Sequence, residues 1–172
     1  MKESDLSDTN LIDFDFSYAN LVRSKFDGAD LTGAKFRAAA LSDATFKGAN
    51  LARASFAGSD LRNAVFDNAN LTDTSFKASD LKKLSLKGTT LVNTNFSHSD
   101  LQEVSFDSMT LIGTNFNGSS LKHTSFKDVT LQDVTFRHSD VKHTDFEGAK
   151  MDKITYAILK GAKAKLDNVV IQ

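Results

Sequence analysis

The chain has 172 residues, a quarter of them charged, yet a formal net charge of only −1. That length makes one domain, and the balanced charge argues against a dedicated nucleic-acid or anionic-membrane binder. Cysteine and proline are both absent, which excludes disulfides and thiol chemistry and removes a common breaker of strand ladders.

Residues 1–5, Met1-Lys2-Glu3-Ser4-Asp5, lead straight into a repeat, with no apolar signal core and no stretch long enough to span a membrane. A cytoplasmic location is the default expectation. From Leu6 to Tyr156 a large apolar residue recurs at every fifth position without an insertion, as in Leu51, Phe56, Leu61 and Phe66. A period of five suits neither an α-helix nor an uninterrupted strand. A straight strand would send successive centres to opposite faces, so the chain must turn once per unit to keep them all inside. The small residue two before each centre shares its side of the pleat and also points inward. Between Thr9 and Val169 neither inward column contains a charge. The pattern describes a solenoid with a narrow interior, residues 6–156, roughly 35 Å tall at the spacing of paired strands.

Leucine and phenylalanine centres alternate, so coils of four units stack Phe on Phe whereas coils of three would interleave them. A second column agrees: at a spacing of twenty, Asp27, Lys47, Asp67, Lys87, Asp107, Lys127 and Glu147 alternate in sign. Like charges directly opposite would be destabilising, and this order favours twenty residues per coil.

Two departures stand out within the array. Phe14 takes a small-residue position beside Phe16 and is expected to plug the open end of the rod. Leu86 interrupts a Phe column while Leu84, two residues earlier, replaces a small residue; the larger neighbour is expected to fill the space left by the smaller centre. After Tyr156 the pattern fails, with Gly161 at a centre position. Residues 157–172 read as a C-terminal cap, a short basic helix from Ala157 followed by a last strand over Asn168–Ile171.

The units Ala19-Asn20-Leu21, Ala29-Asp30-Leu31 and Ala49-Asn50-Leu51 resemble the A-(D/N)-L-X-X motif of the pentapeptide repeat proteins. That resemblance implies an all-β fold, a right-handed quadrilateral β-helix with four pentapeptides per coil. It says less about function, since one fold serves many roles. Some quinolone-resistance members dimerise through a C-terminal helix and strand, and Tyr156, Ile158, Leu159, Val169 and Ile171 are the residues that would form such a cap or homodimer contact here.

No residue is assigned a catalytic, cofactor or metal role. The sequence lacks H-E-x-x-H, G-x-S-x-G and the phosphate-cradling glycine loops. The stacked carboxylates Asp60, Asp80, Asp100 and Asp140 have Arg62, Lys82, Lys122 and Lys142 two residues beyond or nearby, which predicts a salt-bridge lattice rather than an acid/base pair. His123 and His143 should stack, but a metal site wants three or four ligands.

The clearest functional lead is the side centred on Leu11 through Leu131. Its outward residues after each centre are Ile12, Thr32, Ala52, Thr72, Val92, Ile112 and Gln132. A flat, nearly uncharged face on a charged protein suits a protein contact. The expected function is therefore a non-catalytic scaffold that binds another protein, with no nucleic-acid or membrane partner. The alternative implied by the family is a DNA mimic that binds gyrase or topoisomerase, which needs a persistently acidic surface. Here the side around Phe16–Phe136 leans basic through Lys35, Arg37, Lys77 and Arg137.

Overall fold

Every five-residue unit closes with a tight turn. The amide three residues after a centre donates to the carbonyl of that centre, as Ala29 does to Phe26 and Ala34 to Leu31. The residue two after each centre up to Phe146 is left-handed, with φ between 52° and 72°. Glycine, asparagine, aspartate and histidine hold most of these positions, the types that tolerate that region best, and no β-branched residue occupies one.

The computed structural model describes residues 1–172, wound as a β-solenoid. Successive coils bridge in parallel at an offset of twenty residues: Asp5 to Lys25, Asn10 to Asp30, Asp15 to Lys35 and Asn20 to Ala40. Four ladders thus run along the rod, in the twenty-residue register expected from the sequence. On the leucine side the pairing lengthens into short strands from Leu91 onward. These are β1 (Leu91–Val92), β2 (Thr110–Ile112), β3 (Thr130–Gln132) and β4 (Lys150–Met151). Together with β5 (Val170–Ile171) they form one parallel sheet in chain order.

The interior is a continuous apolar column. Along each Phe ladder the rings stack, as Phe36 on Phe56 at 4.7 Å between centroids and 3° between planes. Between the two ladders they meet edge to face, as Phe46 and Phe56 at 5.6 Å and 88°. Both geometries are favoured by the ring quadrupole. Inward serines and threonines are satisfied across coils: Thr74 Oγ1 donates to the Leu51 carbonyl, Ser99 Oγ to Phe76 and Thr124 Oγ1 to Leu101. Burying these hydroxyls therefore costs little, and each ties one coil to the next. At the N-terminal end the Phe14 ring lies 4.5 Å from that of Phe16, shielding it while remaining 49% exposed itself.

The C-terminal boundary differs from the expectation. The helix α1 spans Lys153–Gly161, so it starts four residues before Ala157, and Tyr156 lies within it rather than at the end of a Phe ladder. The array stops at Met151. Ile158 explains why: it falls where every earlier unit needs a left-handed residue, a conformation that β-branched side chains resist. Asp152 then caps the new helix, accepting from the Ile154 and Thr155 amides at 2.7 and 2.9 Å. The twenty-residue register nevertheless survives, since Asp145 bridges Lys165 and β4 pairs β5. The helix takes the place of two units and lies over the last complete coil, with Leu159 fully buried and Thr155 Oγ1 donating to the Val134 carbonyl. No helix is long and apolar enough to cross a membrane.

Asp152→Ala should lower stability by about 1 kcal/mol, the usual worth of an N-cap, measured by denaturant melts at neutral pH. Burial pushes the Asp152 carboxyl up, but bonds from Thr155 and the Thr155 and Ile154 amides outweigh it and leave the pKa lowered. A depressed carboxylate contributes above its unfolded value and is lost as pH falls through its folded one. The gap between wild type and Asp152→Ala should therefore narrow below about pH 4; a gap that persists at lower pH would contradict the capping role.

Candidate protein-interaction face

The seven residues from Ile12 to Gln132 form one column along the leucine side. Backbone pairing fixes their spacing: Asn10 bridges Asp30, Asp30 bridges Asn50, Asn50 bridges Asn70 and Asn70 bridges Thr90. Val92 then pairs with Ile112, and Ile112 with Gln132. Ile12 is 47% and Ile112 37% exposed; Gln132 is also exposed, while Thr32, Ala52, Thr72 and Val92 are half-buried.

The two halves of this face differ chemically. In the first half the polar groups satisfy one another. Thr32 Oγ1 donates to Asp30 at 2.6 Å, Asn50 Nδ2 to Thr32 Oγ1 at 2.8 Å, Asn70 Nδ2 to Asn50 at 3.1 Å and Thr72 Oγ1 to Asn70 at 2.7 Å. The Asp30 carboxyl sits below its ordinary pKa, chiefly through the Thr32 hydroxyl and amide. In the second half, Thr90, Thr110 and Thr130 flank the apolar strip of Val92 and Ile112, and their hydroxyls make no bond within the protein. That half has donors and acceptors left for a partner, beside apolar area to bury.

The carboxylate column on another side is an ion-pair lattice. Arg62 binds Asp60 at 2.7 Å and reaches Asp80 at 3.9 Å; Lys82 joins Asp80 at 3.4 Å and Asp100 at 2.9 Å; Lys122 meets Asp140 at 3.4 Å. The hydrogen bond from Arg62 holds the Asp60 carboxyl below its usual range, and the one that Lys82 donates to Asp100 raises the Lys82 ammonium. Both shifts favour the charged forms.

The alternating column from Asp27 to Glu147 forms no stacked ion pairs. Asp27 accepts the Lys47 amide and Asp107 the Lys127 amide, both at 2.9 Å, and Asp67 accepts the Ser85 hydroxyl. Lys127 pairs across with Asp145 at 3.2 Å. A short aspartate reaches the next coil's amide without ordering a long lysine, and exposed ion pairs return little for that ordering. His123 and His143 do stack, with centroids 5.1 Å apart and 6° between planes.

The cap residues are not all on one surface. Leu159 points into the core, Tyr156, Ile158 and Val169 are half-buried, and Ile171 is exposed. Lys160 lies over the Tyr156 ring at 5.7 Å. Ile154, 73% exposed, joins the cap because α1 begins before it, whereas the sequence pattern places the helix only from Ala157. Between α1 and the last full coil runs a groove of about 770 Å³, lined by Val134, Arg137, Lys153, Ile154 and Ile158 among others.

Two family models match the chain. One, described as pentapeptide repeats in eight copies, covers residues 4–43 and 39–77, and the other, a pentapeptide repeat region, covers residues 59–136. Among solved structures, a pentapeptide repeat protein from the Arabidopsis thaliana thylakoid lumen is 30% identical over 57% of this chain and 72% of its own, with a TM-score of 0.46. A trypsin-treated form of QnrB1, a plasmid-mediated fluoroquinolone resistance protein, is 20% identical over 92% of this chain and 77% of its own, with a TM-score of 0.53. Full-length QnrB1 is 13% identical over 100% of this chain and 93% of its own, with a TM-score of 0.51. No curated protein matches.

Proposed function

Because the chain belongs to the pentapeptide repeat family, we propose that it is a non-catalytic scaffold whose leucine-side face binds another protein. The observation that carries this reading is the second half of that face, where Val92 and Ile112 lie in register between threonines whose hydroxyls make no internal bond. A flat sheet of this kind is already ordered, so docking loses little conformational entropy. Its mixture of apolar strip and free hydroxyls matches the make-up of protein interfaces. The carboxylates that could have served as an acid/base pair are engaged with Arg62 and Lys82, which favours a structural role for them. A homodimer through the cap is a further part of this proposal, using Ile171 and the exposed Ile154.

Val92→Lys together with Ile112→Lys should abolish capture of a partner from the native host while leaving the melting temperature within a few degrees. Both side chains point outward, so the charges stay solvated. Unchanged capture by the double variant would clear this face of the role. Loss of the homodimer on truncation after Met151, seen by light scattering, would support the cap contact, and an unchanged mass would remove it.

The likeness to QnrB1 in fold motivates a second reading, a DNA mimic that engages a type II topoisomerase. Mimicry asks for persistent negative charge. Here Arg62, Lys82 and Lys122 neutralise the main acidic column, and the formal net charge is only −1. We therefore expect no inhibition of gyrase supercoiling at micromolar protein and no protection from quinolones. Clear inhibition that weakens steeply with added salt would favour the mimic over the scaffold.

A further inference from the structure

One junction between coils is built differently from the rest. At the other junctions on the same side, as far as the coil holding Asp145, the ladder is complete: Phe66 and Asn68 donate to the Ser85 and Lys87 carbonyls, Phe106 and Ser108 to Ser125 and Lys127, and Ser125 to Val104. Between the coil holding Ser85 and that holding Ser105, four equivalent bonds are missing. The amides of Leu86 and Gly88 do not reach the Ser105 and Asp107 carbonyls, and those of Ser105 and Thr110 do not reach Leu84 and Thr89. Ser85 bridges Val65 and Ser105 bridges Ser125, but the two do not bridge each other. A cleft of about 390 Å³ opens there, with Leu84, Leu86 and Met109 beneath and Lys87, Glu103 and Asp107 at its rim.

The side chains at this junction account for the gap. Leu84 and Val104 stack in an inward column that elsewhere is alanine, serine or threonine, and Met109 is the bulkiest residue of the neighbouring inward column. Overfilling a close-packed interior forces the backbone to shift. The stacked rings that hold other coils in line, Phe46 on Phe66 at 4.6 Å and Phe106 on Phe126 at 4.8 Å, are interrupted by Leu86. The hydroxyl ties are also missing. Thr94 and Ser99 bind the Leu71 and Phe76 carbonyls across neighbouring sides, whereas Val104 and Met109 have no hydroxyl to offer Leu81 and Leu86. Backbone, ring stack and side-chain ties therefore fail together at one corner.

We propose that this corner is a joint. The rod consists of two stiff stacks, one on each side of the Ser85/Ser105 junction, which open and close at this corner while the other three ladders hold. In a solenoid each coil touches only its neighbours, so a weak interface is not shared out along the array. Opening changes the angle between β1, in the first stack, and β2 and β3, in the second, so Val92 and Ile112 of the leucine-side face stand on opposite sides of the joint. The joint stands on the packing alone and does not depend on that face binding a partner.

Amide exchange on the wild-type chain tests it directly. Leu86, Gly88, Ser105 and Thr110 should exchange about tenfold or more faster than Phe66, Asn68, Ser125 and Thr130, their equivalents at intact junctions. Brief trypsin treatment should cut first after Lys87, because cleavage needs the segment to open locally. Leu84→Ala combined with Leu86→Phe, which restores the common pattern, should suppress both effects. Equal protection on the two sets of amides would overturn the joint. So would fast exchange with Lys87 spared, which marks a static gap rather than an opening one. Should the double variant not fold, the two wild-type measurements decide the matter.

Discussion

Phe116→Ala should destabilise the rod by about 3–5 kcal/mol, the upper range for deleting a buried aromatic side chain. Its ring is fully buried and stacks on Phe96 at 5.3 Å and Phe136 at 5.1 Å. It also meets the edges of Phe106 at 5.4 Å and Phe126 at 5.5 Å. Four aromatic neighbours lose a partner at once. The interior cannot collapse to fill the space, because the surrounding backbone is pinned by bonds such as Phe116 to the Thr135 carbonyl and Asn115 to that of Thr94. Residual cavity volume is what separates costly deletions from mild ones. Denaturant melts should show the loss as a lower midpoint, and a cost under about 1.5 kcal/mol would mean that the coils can slide to close the gap.

A charge in the inward small-residue column should do more damage still. Ala44 is completely buried beside the Phe46 ring, in a column that is free of charge from Thr9 to Val169. Ala44→Asp would bury a carboxylate with no cation within the interior, a penalty of several kcal/mol even after relaxation. The folded state would raise the pKa of the new group, since burial disfavours its charged form. Stability is then retained below the unfolded value, near pH 4, and lost as pH rises through the raised one. The variant should thus be markedly less stable at pH 7 than at pH 4, relative to wild type at the same two values. Ala44→Ser is the control, because serine at this kind of position donates to a backbone carbonyl, as Ser79 does to Phe56. A variant Ala44→Asp as stable as Ala44→Ser at neutral pH would show that water reaches the column.

Much of the molecule was legible before any coordinates, for a physical reason. Each residue of a solenoid meets the residues one coil away, so its contacts recur at a constant offset in sequence. The offset of twenty emerges from Phe16, Phe36 and Phe56 alone, and the ladders follow it through Asp145 and Lys165. The candidate face was legible for the same reason, since residues at that offset share a side. The start of the helix was also written in the chain, in Ile158 at a left-handed position and Asp152 ahead of it, but an apolar residue at Tyr156 masked the break.

Three things were settled only by the tertiary structure. Asp27 and Asp107 bind backbone amides rather than the lysines stacked beside them, because reach and ordering cost outweigh the sign of the charge at an exposed corner. The two halves of the leucine-side face differ in whether their polar groups satisfy one another, which depends on rotamers as well as on residue types. The corner between Ser85 and Ser105 parts although Leu84 and Leu86 offset each other in volume, because Val104 and Met109 in the next coil add bulk against them. In a close-packed interior such overfilling decides whether the backbone can close. Periodicity along the chain therefore determines which residues meet, and three-dimensional packing determines what each meeting becomes.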